Sequence, residues 1–482
     1  MSTAVVWFRR DLRLADNPAL LAALDSADEV VPLFVLDPRL QAASGAPRLA
    51  FLAGSLLDLH EHTDGRLVLR TGPPAREVTA VAREVEADQV FVTGDYGPYG
   101  TRRDAAVEAA LAGVTITPTC RLTPVDSPYA VAPGDVTTGD GTPFKVFTPF
   151  HRRWRDHGWG PPQAEPVDPR WTTGLPSEPV PQGPDLGGTT TILPPGEAAG
   201  LRRLDEFAGR VAGYARGRDI PGDDASSRLS VYLKYGCVHP RQALHAVKDH
   251  RGEGAERFRA ELAWRDFYAA VLAAFPRSAA HSFRPEMAAM KLDTGAAADR
   301  HFEAWAEGST GYPIVDAGMR QLKAEAWMHN RVRMIVASFL VKDLHIDWTR
   351  GAALFMDRLQ DGDLASNSHG WQWVAGTGTD PAPYFRIFNP TSQGKKFDPD
   401  GTYVRRWVPE LGQVDGGAAH EPWKLAGGPP RNYPAPIVDH GEERAEALSR
   451  YERIREPKTR ESRVQEQRTE RRPGPRARRS PS

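Results

Sequence analysis

Residues 311–348 read GYPIVDAGMRQLKAEAWMHNRVRMIVASFLVKDLHIDW, and residues 361–393 read DGDLASNSHGWQWVAGTGTDPAPYFRIFNPTSQ. These two segments concentrate tryptophan together with amide and charged side chains: Trp327, Trp348, Trp371, Trp373, Asn330, Arg331, Arg333, Asp361, Asp363 and Asn367. Large aromatic rings grouped with hydrogen-bonding side chains favour a pocket for a large flat ligand. The alternative is a helical core with incidental tryptophans, and the residues alone leave it open.

A helix is predicted around residues 327–339. The residues on its first face recur at spacings of three, four and seven: Trp327, Asn330, Arg331 and Met334. A second, apolar stripe contains Met328, Val332, Ile335 and Phe339. Such a helix packs into a core through its apolar stripe, and its first face lines a polar site.

The composition predicts a soluble protein of about two domains. A chain of 482 residues exceeds one ordinary core, and its 40% hydrophobic and 26% charged residues are typical of globular proteins. The net charge of −1 excludes a global basic field, so nucleic-acid binding would need a local patch. Cys120 and Cys237 show neither metal nor disulfide spacing. With no signal peptide or transmembrane-length run, a cytoplasmic location is expected.

Short apolar runs alternate with amphipathic segments at the start of the chain, which is typical of parallel strands joined by helices. Strands are predicted at Ala4–Phe8, Val30–Leu36, Leu67–Arg70, Gln89–Thr93 and Val114–Thr117. Helices are predicted at Pro18–Leu24, Ala50–His62, Ala75–Val85 and Arg102–Leu111. The pattern predicts a doubly wound parallel sheet in an α/β domain. No G-x-G-x-x-G motif follows the first strand, so a Rossmann-type dinucleotide site is not expected.

The rest of the chain divides by composition. Residues 158–200 are dense in proline and glycine, which predicts an extended crossing, and the pattern is helical beyond Leu201. We therefore predict an α/β domain at residues 1–130, a linker at 131–200 and one all-α domain at 201–455. Residues 456–482 form a basic tail without aromatic residues, expected to be disordered. This tail either adds nonspecific DNA affinity or has no role.

Five motifs carry a resemblance: TGYPIVDAGMRQL, WMHNRVRM, DWTRG, DGDLASNSHGWQW and YFRIFNPTSQG. With further matches from Trp7 to about Trp407, including WFRRDLRLADN at residues 7–17, the chain resembles the photolyase/cryptochrome family. The resemblance is closest to photolyases that repair cyclobutane pyrimidine dimers in DNA. It implies an antenna-type α/β domain and a helical domain that binds FAD and DNA.

The resemblance implies which residues hold FAD, reduced in its active state: Tyr214, Ser226, Ser227, Leu229, Ser230, Arg265, Trp327, Arg333, Asp361, Asp363 and Asn367. Hydroxyls at a helix start around residues 226–230 suit the pyrophosphate, although such serines are also ordinary caps. Arg333, paired with Asp361, would compensate the negative charge of the reduced flavin. Asp363 is expected at the pyrimidine edge of the flavin. The alternative for both aspartates is a polar turn before a helix.

Other matching positions face the lesion and the DNA backbone. Those expected to hold the dimer are Glu261, Asn330, Met334, Trp264 and Trp373, and those expected to face phosphates are Arg218, Arg331, Arg386 and Lys395. The alternative for Glu261 is a surface ion pair with Arg265, four residues further on.

Two amides discriminate between functions. Asn367 falls against the reactive flavin nitrogen, where plant cryptochromes carry Asp and animal cryptochromes usually Cys. It favours a repair lyase over the alternative, a blue-light photoreceptor that signals to a partner. Asn330 replaces the proton-donating His of (6-4) photolyases, which opposes repair of that lesion. The expected partner is damaged DNA, bound by a monomer, and the preference for single or double strands stays open.

Two features depart from the family or stay open. Trp371 and Trp348 match the proximal and middle tryptophans of the electron-transfer chain, but Leu292 or Gly295 stands where the distal one is expected. Trp305 matches a different tryptophan, so slower or rerouted photoreduction is expected. The segment DYGPYGTRRD at residues 95–104 differs from the folate-type pattern and favours a deazaflavin antenna. The alternative is a domain that binds no pigment.

Overall fold

The computed structural model describes residues 2–113, 120–380 and 385–454. Its single sheet contains β1 Thr3–Phe8, β2 Glu29–Leu36, β3 Val68–Thr71, β4 Gln89–Val92 and β5 Arg121–Pro124. The strands are all parallel and lie in the order β3-β2-β1-β4-β5. Strand β1 is central and Ala4 to Phe8 are buried, as expected for a strand covered on both faces. The doubly wound α/β prediction is confirmed.

Helices flank the sheet at Pro18–Ser26, Pro38–Ala42, Ala46–His62, Pro74–Glu84 and Pro98–Ala112. Proline stands in the first turn of each, where its missing N–H is not needed. The strand predicted at Val114–Thr117 lies outside the described residues. The observed β5, four residues RLTP at the sheet edge, was not predicted because it lacks the buried apolar run that identified the other strands.

The helices after the sheet are Phe147–His157, Glu197–Ala208, Tyr214–Gly217, Ser230–Tyr235, Pro240–Ala246, Glu253–Ala274, Ala296–Glu307, Pro313–Glu325, Asn330–Ser338, Trp348–Arg358, Leu364–Ala375, Pro390–Phe397, Thr402–Trp407 and 440–454. A π-helical turn spans Phe339–Asp343. Short 3-10 helices lie at Val211–Gly213, Pro276–Ala279, Pro285–Ala289, Pro409–Leu411, Gly416–His420 and Pro422–Lys424. Among the described segments, none of the helices combines the length and apolarity needed to cross a membrane.

The range predicted as a linker is not uniform. It contains the helix Phe147–His157, whose buried Phe150 and Trp154 belong to the core shared with the helix Glu253–Ala274. The later part runs extended along the sheet, where the Val30 N–H donates to the Arg170 carbonyl (2.9 Å) and the Thr172 N–H to the Val30 carbonyl (3.0 Å). The proposed boundaries at residues 130, 200 and 455 stay predictions, and the tail 456–482 lies outside the described residues.

A buried carboxylate joins the two parts of the molecule. Glu197, at the start of its helix, accepts hydrogen bonds from the Leu14 N–H (2.7 Å) and the Ala15 N–H (3.1 Å). Burial raises the pKa of Glu197 to about 7, although both N–H groups and Arg13 oppose the shift. The loop after β1 is thereby held against the helical domain.

Candidate active site

A cavity of about 490 Å³ opens between the helices of the second domain. Its walls come mainly from the helices Ser230–Tyr235, Glu253–Ala274, Asn330–Ser338 and Leu364–Ala375. Most of the predicted site residues line it: Tyr214, Arg218, Ser226, Ser227, Leu229, Ser230, Glu261, Trp264, Arg265, Trp327, Asn330, Arg331, Arg333, Met334, Asp361, Asp363, Asn367, Trp371 and Trp373. Side chains from residues 214 to 373 therefore converge on one space of a size that suits a small-molecule ligand.

The helix predicted from Trp327 begins three residues later, at Asn330. His329 is its N-cap and accepts a hydrogen bond from the Arg331 N–H (3.2 Å), while Ala326 has a left-handed φ of 48°. Trp327 therefore lies in the turn before the helix and does not share a helical face with Met334. It lines the same cavity nonetheless. The error arose because spacing alone does not reveal where a helix starts.

The ion pair predicted between Arg333 and Asp361 is present at the floor of the cavity. A terminal guanidinium nitrogen lies 2.9 Å from the Asp361 carboxylate, whose side chain is 2% exposed. The Ser230 hydroxyl also donates to this carboxylate (2.6 Å), and Arg333 Nε donates to the Met328 carbonyl (2.8 Å). The planar guanidinium is thus fixed on two sides beside the cavity.

Asp363 is the N-cap of the helix Leu364–Ala375, which agrees with the alternative interpretation of a polar turn before a helix. Its carboxylate accepts from the Ser366 N–H (3.0 Å) and pairs with Arg10 at 2.7 Å. Burial disfavours the charged form, but Arg10, Lys234 and Arg265 outweigh it and hold the pKa of Asp363 well below its usual range. The carboxylate is therefore ionised at neutral pH.

Three cations near the cavity were missed. Arg10 follows β1, about 350 residues from its partner Asp363, and no local pattern reveals such a contact. Arg228 lies over the ring of Trp327, with its guanidinium carbon 4.4 Å from the ring centroid. Lys234 lines the cavity, and burial together with Arg10 lowers its pKa to about 7. A lysine that follows Val231, Tyr232 and Leu233 in the helix SVYLKY was a signal that could have identified it.

Two uncharged groups also define the interior of the cavity. Asn367 donates from its amide nitrogen to the Ala352 carbonyl (3.0 Å), which fixes the amide at the wall. Trp371 is buried, and its indole nitrogen has no hydrogen-bond partner among the described residues. A buried unpartnered donor is unusual and is consistent with a ligand-facing wall.

The mouth carries two further ion pairs. Arg218 pairs with Glu261 at 2.6 Å, and Arg331 pairs with Asp219 at 2.8 Å. The alternative pair between Glu261 and Arg265 does not form, because Arg265 turns inward and donates to the Pro128 (2.9 Å) and Leu233 (3.0 Å) carbonyls.

Trp264 stacks on Phe147, with ring centroids 3.7 Å apart and planes 8° apart. Its ring also lines the cavity. The helix Phe147–His157, which the sequence analysis did not expect, therefore supports one wall of the mouth.

Three of the predicted residues do not line the cavity. Trp348 is buried in the apolar core of the helical domain. Arg386 is exposed and lies over the Phe388 ring, and Lys395 pairs with Glu421 at the surface. Trp305, wholly buried, has its ring centroid 6.1 Å from that of Trp371.

The described donors fit a flavin nucleotide. Arg333 offers a permanent positive charge, and Lys234, with its pKa lowered to about 7, offers a partial one at neutral pH. Ser226 and Ser227 offer hydroxyls near the start of a helix, and aromatic rings supply flat apolar surface. Such a mixture of apolar walls with a few fixed polar groups is typical of cofactor sites.

Comparison with known proteins agrees with this geometry. Residues 258–453 match the family model for the FAD binding domain of DNA photolyase, and residues 4–169 match the family model for DNA photolyase. The chain is 45% identical to a deoxyribodipyrimidine photo-lyase of Streptomyces griseus, over 94% of this chain and 99% of that protein.

Solved structures agree as well. A bacterial class III photolyase from Agrobacterium tumefaciens is 38% identical with a TM-score of 0.86, covering 95% of this chain and 98% of that one. An archaeal photolyase from Sulfolobus tokodaii with two FAD molecules is 30% identical with a TM-score of 0.79, covering 94% of this chain and 100% of that one. This chain belongs to the DNA photolyase family.

Proposed function

We propose that this protein is a deoxyribodipyrimidine photo-lyase, a carbon–carbon lyase that uses light to split cyclobutane pyrimidine dimers in DNA. The observation that carries the proposal is one cavity with two chemically distinct ends. Its floor holds the Arg333–Asp361 pair with its buried carboxylate, and its mouth holds Glu261 and Asn330 among arginines. FAD at the floor and a pyrimidine dimer at the mouth would lie next to each other inside this cavity.

The floor residues are proposed to hold FAD. Arg333, fixed by Asp361, would balance negative charge on the reduced ring system, and Ser226 and Ser227 would donate to the pyrophosphate. The Ser230 hydroxyl donates to Asp361, so Ser230 would face the pyrophosphate only after changing its partner. Asn367 would face the ring as a neutral amide that cannot titrate. When bound, FAD supplies the light absorption and the electron that opens the dimer.

The mouth residues are proposed to hold the dimer. Glu261 and Asn330 would bind the polar edges of the two pyrimidines, while Met334, Trp264 and Trp373 would cover their apolar faces. The lesion must leave the base stack to reach this depth, and a damaged step does so at lower energetic cost.

DNA would approach through local positive charge, because the net charge of the chain is only −1. Arg218 and Arg331 at the mouth, with exposed Arg386 and Lys395 beyond it, are proposed to contact phosphates. Damaged DNA is the proposed partner of a cytoplasmic monomer.

Flavin reduction is proposed to run through Trp371 and Trp348. Trp305 lies beside Trp371 but is wholly buried, so it does not supply an exposed terminal donor. We expect photoreduction of the bound flavin to be slow, and Trp348→Phe to slow it further while repair by chemically reduced protein is unchanged. Fast photoreduction that Trp348→Phe abolishes would reveal another terminal donor.

We further propose a deazaflavin as the antenna pigment of the α/β domain, because residues 95–104 differ from the folate-type pattern. These residues include the start of the helix Pro98–Ala112 at the edge of the sheet. An absorption spectrum of the purified protein would identify the pigment, since a deazaflavin and a folate absorb at different wavelengths.

The central test uses the FAD-loaded, chemically reduced protein with an oligonucleotide that contains one thymine dimer. Illumination should restore the two thymines, and the same mixture kept in the dark should not change. Arg257→Gln, at an exposed position away from the cavity, serves as a matched control with unchanged repair. Dimers that persist under light with reduced flavin present would contradict the lyase assignment and favour a photoreceptor.

A further inference from the structure

A second cavity, of about 620 Å³, lies where three helices meet: the C-terminal ends of Phe147–His157 and Pro240–Ala246 and the start of Glu253–Ala274. Its lining contains five permanent cations, Arg155, Arg241, Lys248, Arg251 and Arg259, and a single carboxylate, Glu256. His245 and His250 add two more nitrogen-bearing rings. None of these residues belongs to the photolyase cavity described above.

Part of this charge has a structural role. Arg259 donates to the Val247 carbonyl (2.5 Å) and the His250 carbonyl (3.0 Å), and so satisfies the end of the helix Pro240–Ala246. Arg241 is bonded to Asp16 (3.0 Å) and to Asp126. Arg259 and Arg241 therefore have structural partners of their own, and their presence is not evidence for a ligand.

The remaining charge is not explained in that way. Lys248 and Arg251 are exposed and form no ion pair within the part of the chain that the structure describes, although Lys248 Nζ contacts His245 Nε2 at 3.1 Å. Arg155 and Arg259 share the single carboxylate of Glu256, at 3.1 Å and 2.8 Å. A concave surface with this excess of cations attracts a compact anion more strongly than a flat surface would.

An aromatic ring also lines this cavity. Trp159 is half-buried and packs on Trp154, with ring centroids 4.5 Å apart. Gly160 and Pro161 follow it along the wall. Because Trp154 supports one face of this indole, its accessible surface offers a flat apolar platform within a basic cavity.

The position of the cavity separates it from the lesion site. Glu256 and Arg259 project from one side of the helix Glu253–Ala274, whereas Glu261 and Arg265 project from the opposite side into the photolyase cavity, as 3.6 residues per turn requires. DNA engaged at the mouth of that cavity would therefore meet the other face of this helix. This geometry favours a small ligand over the backbone of the substrate DNA.

We propose that this cavity binds a small phosphorylated molecule with a flat ring, of the nucleotide class. Lys248 and Arg251 contact its phosphates, and Trp159 packs on its ring. Stacking on an indole and phosphate contact by Lys and Arg are the two interactions by which proteins recognise this chemistry. The site is independent of lesion repair.

Isothermal titration of the FAD-loaded protein with adenosine diphosphate tests the proposal, because bound FAD already fills the photolyase cavity. The double variant Lys248→Ala/Arg251→Ala should raise the dissociation constant at least about tenfold, since two phosphate contacts are lost. Trp159→Leu should weaken adenosine diphosphate binding but leave pyrophosphate binding unchanged. Arg257→Ala, an exposed position on the same helix outside the cavity, is the matched control.

Repair of a thymine dimer and affinity for damaged DNA should be the same in the double variant as in the wild type. Three results would overturn the proposal: no binding of adenosine diphosphate, equal binding by the double variant, or pyrophosphate binding as tightly as adenosine diphosphate. A loss of DNA affinity in the double variant, with nucleotide binding intact, would assign the cavity to DNA and overturn it as well. Melting temperatures of all variants report whether folding is intact.

Discussion

The floor and the mouth of the photolyase cavity are both built from arginine–carboxylate pairs, but the two sets differ in the burial of their carboxylates. At the floor, the side chains of Asp361 and Asp363 are 2% and 12% exposed. At the mouth, those of Glu261 and Asp219 are 32% and 37% exposed. The arginines do not follow this order, because Arg333 and Arg10 at the floor are 24% and 28% exposed, and Arg218 and Arg331 at the mouth are 21% and 19% exposed. Burial of the carboxylate, and not of the whole pair, therefore distinguishes the two ends.

This difference in burial implies different functions. A buried carboxylate cannot exchange its arginine for water, so we propose that the floor keeps a fixed charge distribution for bound FAD. A partly exposed carboxylate holds its arginine weakly, so we propose that Arg218 and Arg331 exchange their carboxylates for phosphates when DNA binds. The floor is therefore suited to keeping FAD bound, and the mouth is suited to binding and releasing DNA.

The largest expected effect comes from breaking the floor pair. Arg333→Met leaves the Asp361 carboxylate buried with only the Ser230 hydroxyl, so the free energy of unfolding should fall by about 3 kcal/mol or more. The variant should also purify without yellow colour. Chemical unfolding and flavin absorbance measure the two results.

Two further variants sharpen this test. Asp219→Asn breaks a pair at the mouth, and should change the free energy of unfolding by at most about 1 kcal/mol with FAD retained. Arg333→Met/Asp361→Leu removes both charges of the Arg333–Asp361 pair, and should regain stability relative to Arg333→Met without regaining FAD. Equal destabilisation by Arg333→Met and Asp219→Asn would show that burial does not distinguish the two ends.

At the mouth, the largest effect is expected in repair. Glu261→Gln keeps the shape of the side chain but removes the negative charge that Arg218 fixes, so the repair yield should fall about 10- to 100-fold. FAD content should not change. Glu253→Gln, exposed at the start of the same helix, is the control. Loss of FAD from Glu261→Gln would assign this residue to the floor.

The sequence predicted the parts of this contrast that local patterns encode. The apolar runs predicted β1 to β4. The family motifs predicted that Arg333, Asp361 and Glu261 belong to one site, and all three line the same cavity. Contacts between distant segments were not predictable: Arg10 reaches Asp363 across about 350 residues, and Arg218, not Arg265, became the partner of Glu261. The edge strand β5 carries no buried apolar run, so periodicity did not reveal it.

His329 lies between the two ends and should make the fold sensitive to acid. Burial, opposed by Asp219 and reinforced by Arg331, lowers the pKa of this 2% exposed side chain to about 4, below its unfolded value of about 6.5. The stability it contributes is present above pH 6.5 and is lost as the pH falls towards 4.

His329→Asn keeps a side-chain acceptor for the Arg331 N–H but removes the titration. Between pH 7 and pH 5.5, the variant should lose about 1 kcal/mol less unfolding free energy than the wild type. Chemical unfolding at a series of pH values measures this difference. His281→Asn, at an exposed position, should follow the wild-type pH dependence. Parallel curves for wild type and His329→Asn would contradict the buried, neutral histidine.

The smallest effect concerns partner exchange at the mouth. If Arg331 leaves Asp219 for a phosphate, Arg331→Gln should lower the slope of log affinity against log salt by about 0.9, with no change for Arg257→Gln. Asp219→Asn should instead tighten DNA binding, because the competing carboxylate is gone. Fluorescence anisotropy with a dimer-containing oligonucleotide at several salt concentrations measures both. An unchanged slope in Arg331→Gln would mean that the Arg331–Asp219 pair stays closed on DNA.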